Sequence, residues 1–261
     1  MTKLNTPVLP DWSVLERREH PIYAPQQLKL ILKALHTGRF LYAVEPIFCA
    51  LKQRVEFNEL LLRVQNENKS IMPAHTVFNT IAQNNLTADF ALFLVHDQLC
   101  AHKNMGNTAS MNIHPLLLSN SNNRQKLWHL LENHAATRNP NKIILEVLET
   151  APLRITDSLQ NFMKDTTSLG FRWALDDYGD GDGHHRLKHI KELPLAYVKL
   201  DNQTSLELAT QKEASAQTQQ TLKTCQHHDI QIVAENISTA EQIQNLEKWH
   251  AVHLTQTYCL P

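Results

Sequence analysis

Glycine is scarce in this chain, with six in 261 residues. Four of them, Gly170, Gly179, Gly181 and Gly183, fall in or just before one short stretch. Clustered glycines mark backbone that turns sharply or lets a ligand come close. Cysteine is also sparse. Cys49, Cys100, Cys225 and Cys259 are scattered, and no CxxC pair is present. That spacing argues against a disulfide framework and suggests reduced thiols in the cytoplasm. Charge of one sign is missing too, since 25 Lys and Arg balance 26 Asp and Glu. No broad basic surface is therefore expected for a nucleic-acid polymer. No apolar run approaches bilayer length, so membrane insertion is not expected. The N-terminus lacks the apolar core of a secretory signal. Fifteen histidines form no HExxH pattern, which leaves no basis for a zinc site of that kind.

What is present is a chain able to fill a core, with 42% hydrophobic residues. Residues 1–22 carry several prolines and little periodicity and read as an N-terminal extension. From residue 23 to 261 the pattern is that of one domain. Leu28, Ile31, Leu32 and Leu35 predict an amphipathic helix. Short apolar runs follow near 40–49, 54–64, 108–113, 142–147, 171–175, 195–200, 230–234 and 251–255. Helical patterns separate most of them, including two between 73 and 103 and others at 121–137, 153–168, 206–227 and 239–248. Eight strand candidates alternating with helices predict an α/β fold, a (β/α)8 TIM-like barrel. The rival is a doubly wound open sheet, but no GxGxxG turn follows a first strand.

In such a barrel, chemistry gathers where the strands end. The stretch from Trp173 to Asp201 carries two such ends. One run stops in Asp176-Asp177; another stops in Lys199 and Asp201, which alternation places on one face. This suggests a hard cation with an anionic ligand, or merely solvated turns. Glu59 and Arg63 share a face of the second strand and each needs a partner. A metal with a phosphate would satisfy them, and so would an internal Glu–Arg pair. Asn112, Glu146, Glu235 and Gln256 stand at the ends of further strands. Oxygen donors of this kind suit magnesium, manganese or calcium.

These residues resemble the EAL domain, the bacterial cyclic di-GMP phosphodiesterase family. Glu59-Leu60-Leu61-Leu62-Arg63 is similar to Glu-Ala-Leu-Leu-Arg, and Glu45-Pro46-Ile47 to Gln-Pro-Ile. Met111-Asn112-Ile113, Leu145-Glu146-Val147-Leu148-Glu149, Asp176-Asp177-Tyr178-Gly179, Val198-Lys199-Leu200-Asp201 and Val233-Ala234-Glu235 match further motifs in order. The resemblance implies an atypical first strand, running antiparallel. It implies Glu59, Asn112, Glu146 and Asp176 as ligands of magnesium or manganese, with Asp177 at a second metal. It further implies that Lys199 acts on the attacking water and that Glu235 is a metal-site carboxylate or general base. Arg63 and Gln256 would contact the substrate, and Glu149 would brace the loop after the fifth strand. The implied activity is hydrolysis of cyclic di-GMP to the linear dinucleotide, weakened by departures from the family's pattern. Those departures are Glu45 for the usual Gln, Ser238 for a Glu, and the loop Asp177–His185, longer and richer in Asp. They keep open an alternative: an inactive EAL-like receptor for the dinucleotide, or a regulator that binds a protein partner. A homodimer is also left open.

Overall fold

The computed structural model describes residues 26–49, 54–103, 105–149, 153–179, 183–249 and 252–257. The predicted extension 1–22 lies outside these residues. Eight strands form a closed barrel in sequential order, which excludes the open sheet. They are β1 (Phe40–Cys49), β2 (Arg54–Val64), β3 (Ala109–Ile113), β4 (Ile143–Val147), β5 (Arg172–Tyr178), β6 (Leu195–Leu200), β7 (Gln231–Ile237) and β8 (Val252–Thr257). Strands β2 to β8 run parallel, and β1 is antiparallel to both neighbours, as the resemblance implied. None of the helices among the described residues is long and apolar enough to cross a membrane.

Among the described residues, ten α-helices accompany the strands. Helix α1 (Gln26–His36) precedes β1, and α2 (Ala74–Gln83) and α3 (Thr87–His102) follow β2. Helices α4 (Leu116–Ser119) and α5 (Ser121–Ala135) follow β3, and α6 (Asp157–Ser168) follows β4. Helix α7 (Gly183–Glu192) follows β5, and α10 (Ala240–Glu247) precedes β8. The helical pattern at 206–227 is two helices, α8 (Asn202–Thr210) and α9 (Ala216–His227). The break has a local cause. The Ser215 side chain accepts from Thr218 N and caps α9, while the Glu207 carboxylate accepts from Ser215 N and Thr218 Oγ1. A cap of this type satisfies a backbone N–H that an uninterrupted helix would pair internally.

Alternation along the strands sorts the core into two shells. Outward residues such as Leu60, Met111, Leu145, Trp173, Val198 and Ile232 pack under the helices. Inward residues Ile47, Phe57, Ile144, Ala174, Tyr197, Val233 and Leu254 fill the barrel. Beyond its contact with β3 and β8, the β1–β2 pair continues as a two-stranded ribbon. Leu62 and Val64 on its one face pack with Phe40 and Tyr42 against α1, α2 and α3. Gln98 of α3 donates to Leu60 O at 2.9 Å and so satisfies part of the β2 edge.

Candidate functional site

One rule of geometry builds the site. Two residues on from the barrel's apolar filling, each strand presents its next inward side chain. From Phe57 this gives Glu59, from Ile144 Glu146, from Ala174 Asp176, from Tyr197 Lys199, from Val233 Glu235 and from Leu254 Gln256. On β3, where Ser110 lies buried, it gives Asn112. On antiparallel β1 the count runs backward, from Ile47 to Glu45. Every strand thus contributes one polar side chain to the C-terminal mouth of the barrel.

The ring closes around an ammonium. Lys199 Nζ donates to Glu146 Oε1 at 2.5 Å, and to Glu59 Oε2 and Asp176 Oδ1 at 3.0 Å each. Glu235 Oε1 lies 2.7 Å away. Lys199 is 2% exposed and Glu146 is fully buried. An ammonium carries three N–H donors, so four carboxylates exceed what it can satisfy. Three buried acceptors at the same mouth, Asn112 Oδ1, Glu146 Oε2 and Gln256 Oε1, receive no hydrogen bond from the protein. Unpartnered buried oxygens carry a desolvation cost that a hard cation would remove. The donor set therefore fits such a cation. Among the described residues, the carboxylates do not by themselves form a tight three-ligand metal cage; they are drawn onto Lys199 instead.

Electrostatics follow from the crowding. Burial pushes the Glu146 carboxyl well above its ordinary range; Glu59 and Asp176 add to the shift and Lys199 opposes it. Burial also pushes Glu235 up to about 7, with Asp176 and Glu59 adding to it against Lys199. For Lys199, burial disfavours the charge, but Glu146, Asp176, Glu59 and Glu235 together hold the ammonium protonated beyond its usual range.

The other candidates surround the Lys199 cluster in different ways. Asp177 is exposed and has a left-handed backbone, φ 53°, where the β5–β6 register slips. Its carboxyl is raised by partial burial and by Asp176 and Asp201. Asn236 repeats this geometry after Glu235 on β7, φ 54°, at a second register slip. Such bulges re-aim the side chain that precedes them. Arg63 does not pair with Glu59. It pairs across the ribbon with Glu45, Nη2 to Oε1 at 3.4 Å. Gln256 Nε2 donates to Glu45 Oε2 at 2.9 Å and to Glu59 Oε2 at 3.1 Å. Asn112 Nδ2 donates to Glu59 Oε1 at 3.3 Å. Glu149 is exposed just past β4, and residues 180–182 of the loop it was expected to brace lie outside the described residues.

Asp201 corrects the alternation argument. Strand β6 ends at Leu200, and Asp201 Oδ1 accepts from Thr204 N at 2.7 Å to cap α8. It does not join Lys199 in the ring. Ser205 was invisible to spacing arguments. Its Oγ donates to Leu200 O and accepts from Glu235 N at 2.9 Å, so it ties the end of β6 to Glu235 on β7.

Residues 29–256 match the EAL domain family. The chain is 32% identical over 180 residues to the cyclic di-GMP phosphodiesterase PdeA of Borreliella burgdorferi, a match covering 66% of this chain and 26% of that protein. It is 26% identical over 228 residues to the probable cyclic di-GMP phosphodiesterase PdeA of Escherichia coli, covering 85% of this chain and 30% of that one. The chain thus spans less than a third of the length of these two relatives. Among solved structures, the PaMucR phosphodiesterase in its c-di-GMP complex superposes with a TM-score of 0.74 at 19% identity, covering 90% of this chain and 96% of that one.

Proposed function

The chain belongs to the EAL domain family, and on that premise we propose that it is a metal-dependent phosphodiesterase that opens cyclic di-GMP to the linear dinucleotide. The observation that supports this most is the polar ring itself. Glu59, Asn112, Glu146 and Asp176 supply oxygen donors to one point of the mouth, with acceptors left over on Asn112 and Glu146. These four would hold magnesium or manganese, with Asp177 the candidate for a second ion. When bound, the metal supplies a polarised water and counter-charge for the phosphodiester.

The chain's own groups do the rest. Glu235, raised to about 7, is matched to take a proton from water near neutral pH. Lys199, kept protonated, holds the carboxylates together and orients the attacking water. Arg63 and Gln256 sit on the β1–β2–β8 side of the mouth, where the dinucleotide would lie. In the balanced reaction, the water oxygen bonds to phosphorus and one ester P–O bond breaks. The water's proton leaves to Glu235, and the departing ribose oxygen is protonated. One observation favours the alternative of an inactive receptor or partner-binding regulator: the Arg63 guanidinium is already engaged by Glu45.

Glu235→Gln separates these roles. The variant is expected to keep manganese binding in a calorimetric titration while hydrolysis falls by about 100-fold or more. Full turnover in that variant would remove Glu235 from the chemistry. Unchanged manganese binding in Glu59→Ala would remove Glu59 from the metal site.

A further inference from the structure

Glu45 and Glu59 are paired residues across β1 and β2. Like charges directly opposite each other on an antiparallel pair are unfavourable. The structure relieves this with two donors. Gln256 Nε2 lies between the two carboxylates and donates to both. Arg63, on the same face of the ribbon, takes Glu45 Oε1. Its other hydrogen bond, to Leu62 O at 3.1 Å, is to its own neighbour on the strand. Both side chains are partly buried, 31% and 19% exposed. Arg63 is therefore neutralised by Glu45 at the one place where the ribbon offers the mouth a guanidinium. Its planar fork is the group best shaped for an anionic phosphate.

Building on the proposed dinucleotide reading, we infer that Glu45 is a specificity-determining residue that acts as an internal competitor. Its carboxylate occupies Arg63, and an anionic ligand must displace it before the guanidinium can bind a phosphate. Removing the Glu45 charge frees the fork and removes one of the five carboxylates facing the mouth. The isosteric Glu45→Gln keeps an acceptor for Gln256 and for the ribbon, so the change is one of charge rather than of packing. The competitor acts on ligand affinity, because it opposes binding before any bond is broken.

The test is a double-variant cycle on the full chain. Binding of cyclic di-GMP is measured calorimetrically in EDTA for the unmodified protein, Glu45→Gln, Arg63→Gln and the double variant. KM and kcat with manganese are measured alongside. Glu45→Gln is expected to tighten binding about tenfold and to lower KM with little change in kcat. In the Arg63→Gln background the same substitution should have little effect. The log-affinity of Glu45→Gln should also depend more steeply on salt, since one more cation meets the phosphate. Equal tightening with and without Arg63 would overturn the competitor and leave only a general charge effect. Unchanged affinity in Glu45→Gln, with the unmodified protein binding well, would overturn it while leaving the phosphodiesterase reading intact. Absence of binding and of turnover in every variant would overturn both.

Discussion

Lys199 is the side chain on which the mouth of the barrel depends. A buried charge deprived of its partner is among the costliest single lesions, about 3–5 kcal/mol. Lys199→Met leaves Glu146 fully buried among Glu59, Asp176 and Glu235. Urea unfolding in EDTA should show a loss of that size, and manganese should restore more stability to the variant than to the unmodified chain. Equal stability in EDTA would mean that Lys199 does not hold the ring. Glu235 gives the pH counterpart. Its folded carboxyl is raised to about 7 from an ordinary 4.5, so between those values the folded state holds a proton that the unfolded chain has released. Stability from this group is therefore present at low pH and falls as pH rises through 7. Glu235→Gln cannot make that transition. In metal-free protein its stability relative to the unmodified chain should improve from pH 5 to pH 8; a constant difference would contradict the shift.

At the scale of elements, β5, β6 and α8 are locked at one crossing. A Cβ on Gly179 would collide with the carboxylate of Asp201, which is also the N-cap of α8. The backbone of Asp201 donates to Tyr178 O at 3.0 Å. Gly179→Ala must therefore push the cap away and disturb β5 just beyond Asp176. A loss of about 1–3 kcal/mol is expected, together with weaker manganese binding. In an Asp201→Ala background the added methyl should cost much less; full additivity in thermal unfolding would refute the collision. These elements also show what the sequence discloses. Period-two alternation places Glu59, Asn112, Glu146, Asp176, Lys199, Glu235 and Gln256 in one ring, because each belongs to a strand and strands have only two faces. The same rule fails at Asp201, one residue past the strand, where a helix cap takes the side chain. It fails again at Arg63, which lies opposite Leu41 yet reaches diagonally along β1 to Glu45, a contact that pattern alone does not fix. The α8–α9 break is hidden in the pattern because Glu207, nine residues before the first residue of α9, helps to form its cap.

For the molecule as a whole, the barrel acts as a frame that lowers eight strand ends onto one mouth. It concentrates carboxylates there well beyond what one ammonium can satisfy. A cation that binds the folded ring and not the unfolded chain must stabilise the protein by mass action. The same cation would meet the charge of a phosphodiester. The most direct measurement is product formation: purified protein incubated with cyclic di-GMP and manganese, and resolved by chromatography over time. The expected result is linear dinucleotide that accumulates with manganese, disappears with EDTA and is lost in Glu59→Ala. Bound manganese and bound cyclic di-GMP with no linear product would contradict catalysis and leave the ring as a receptor site.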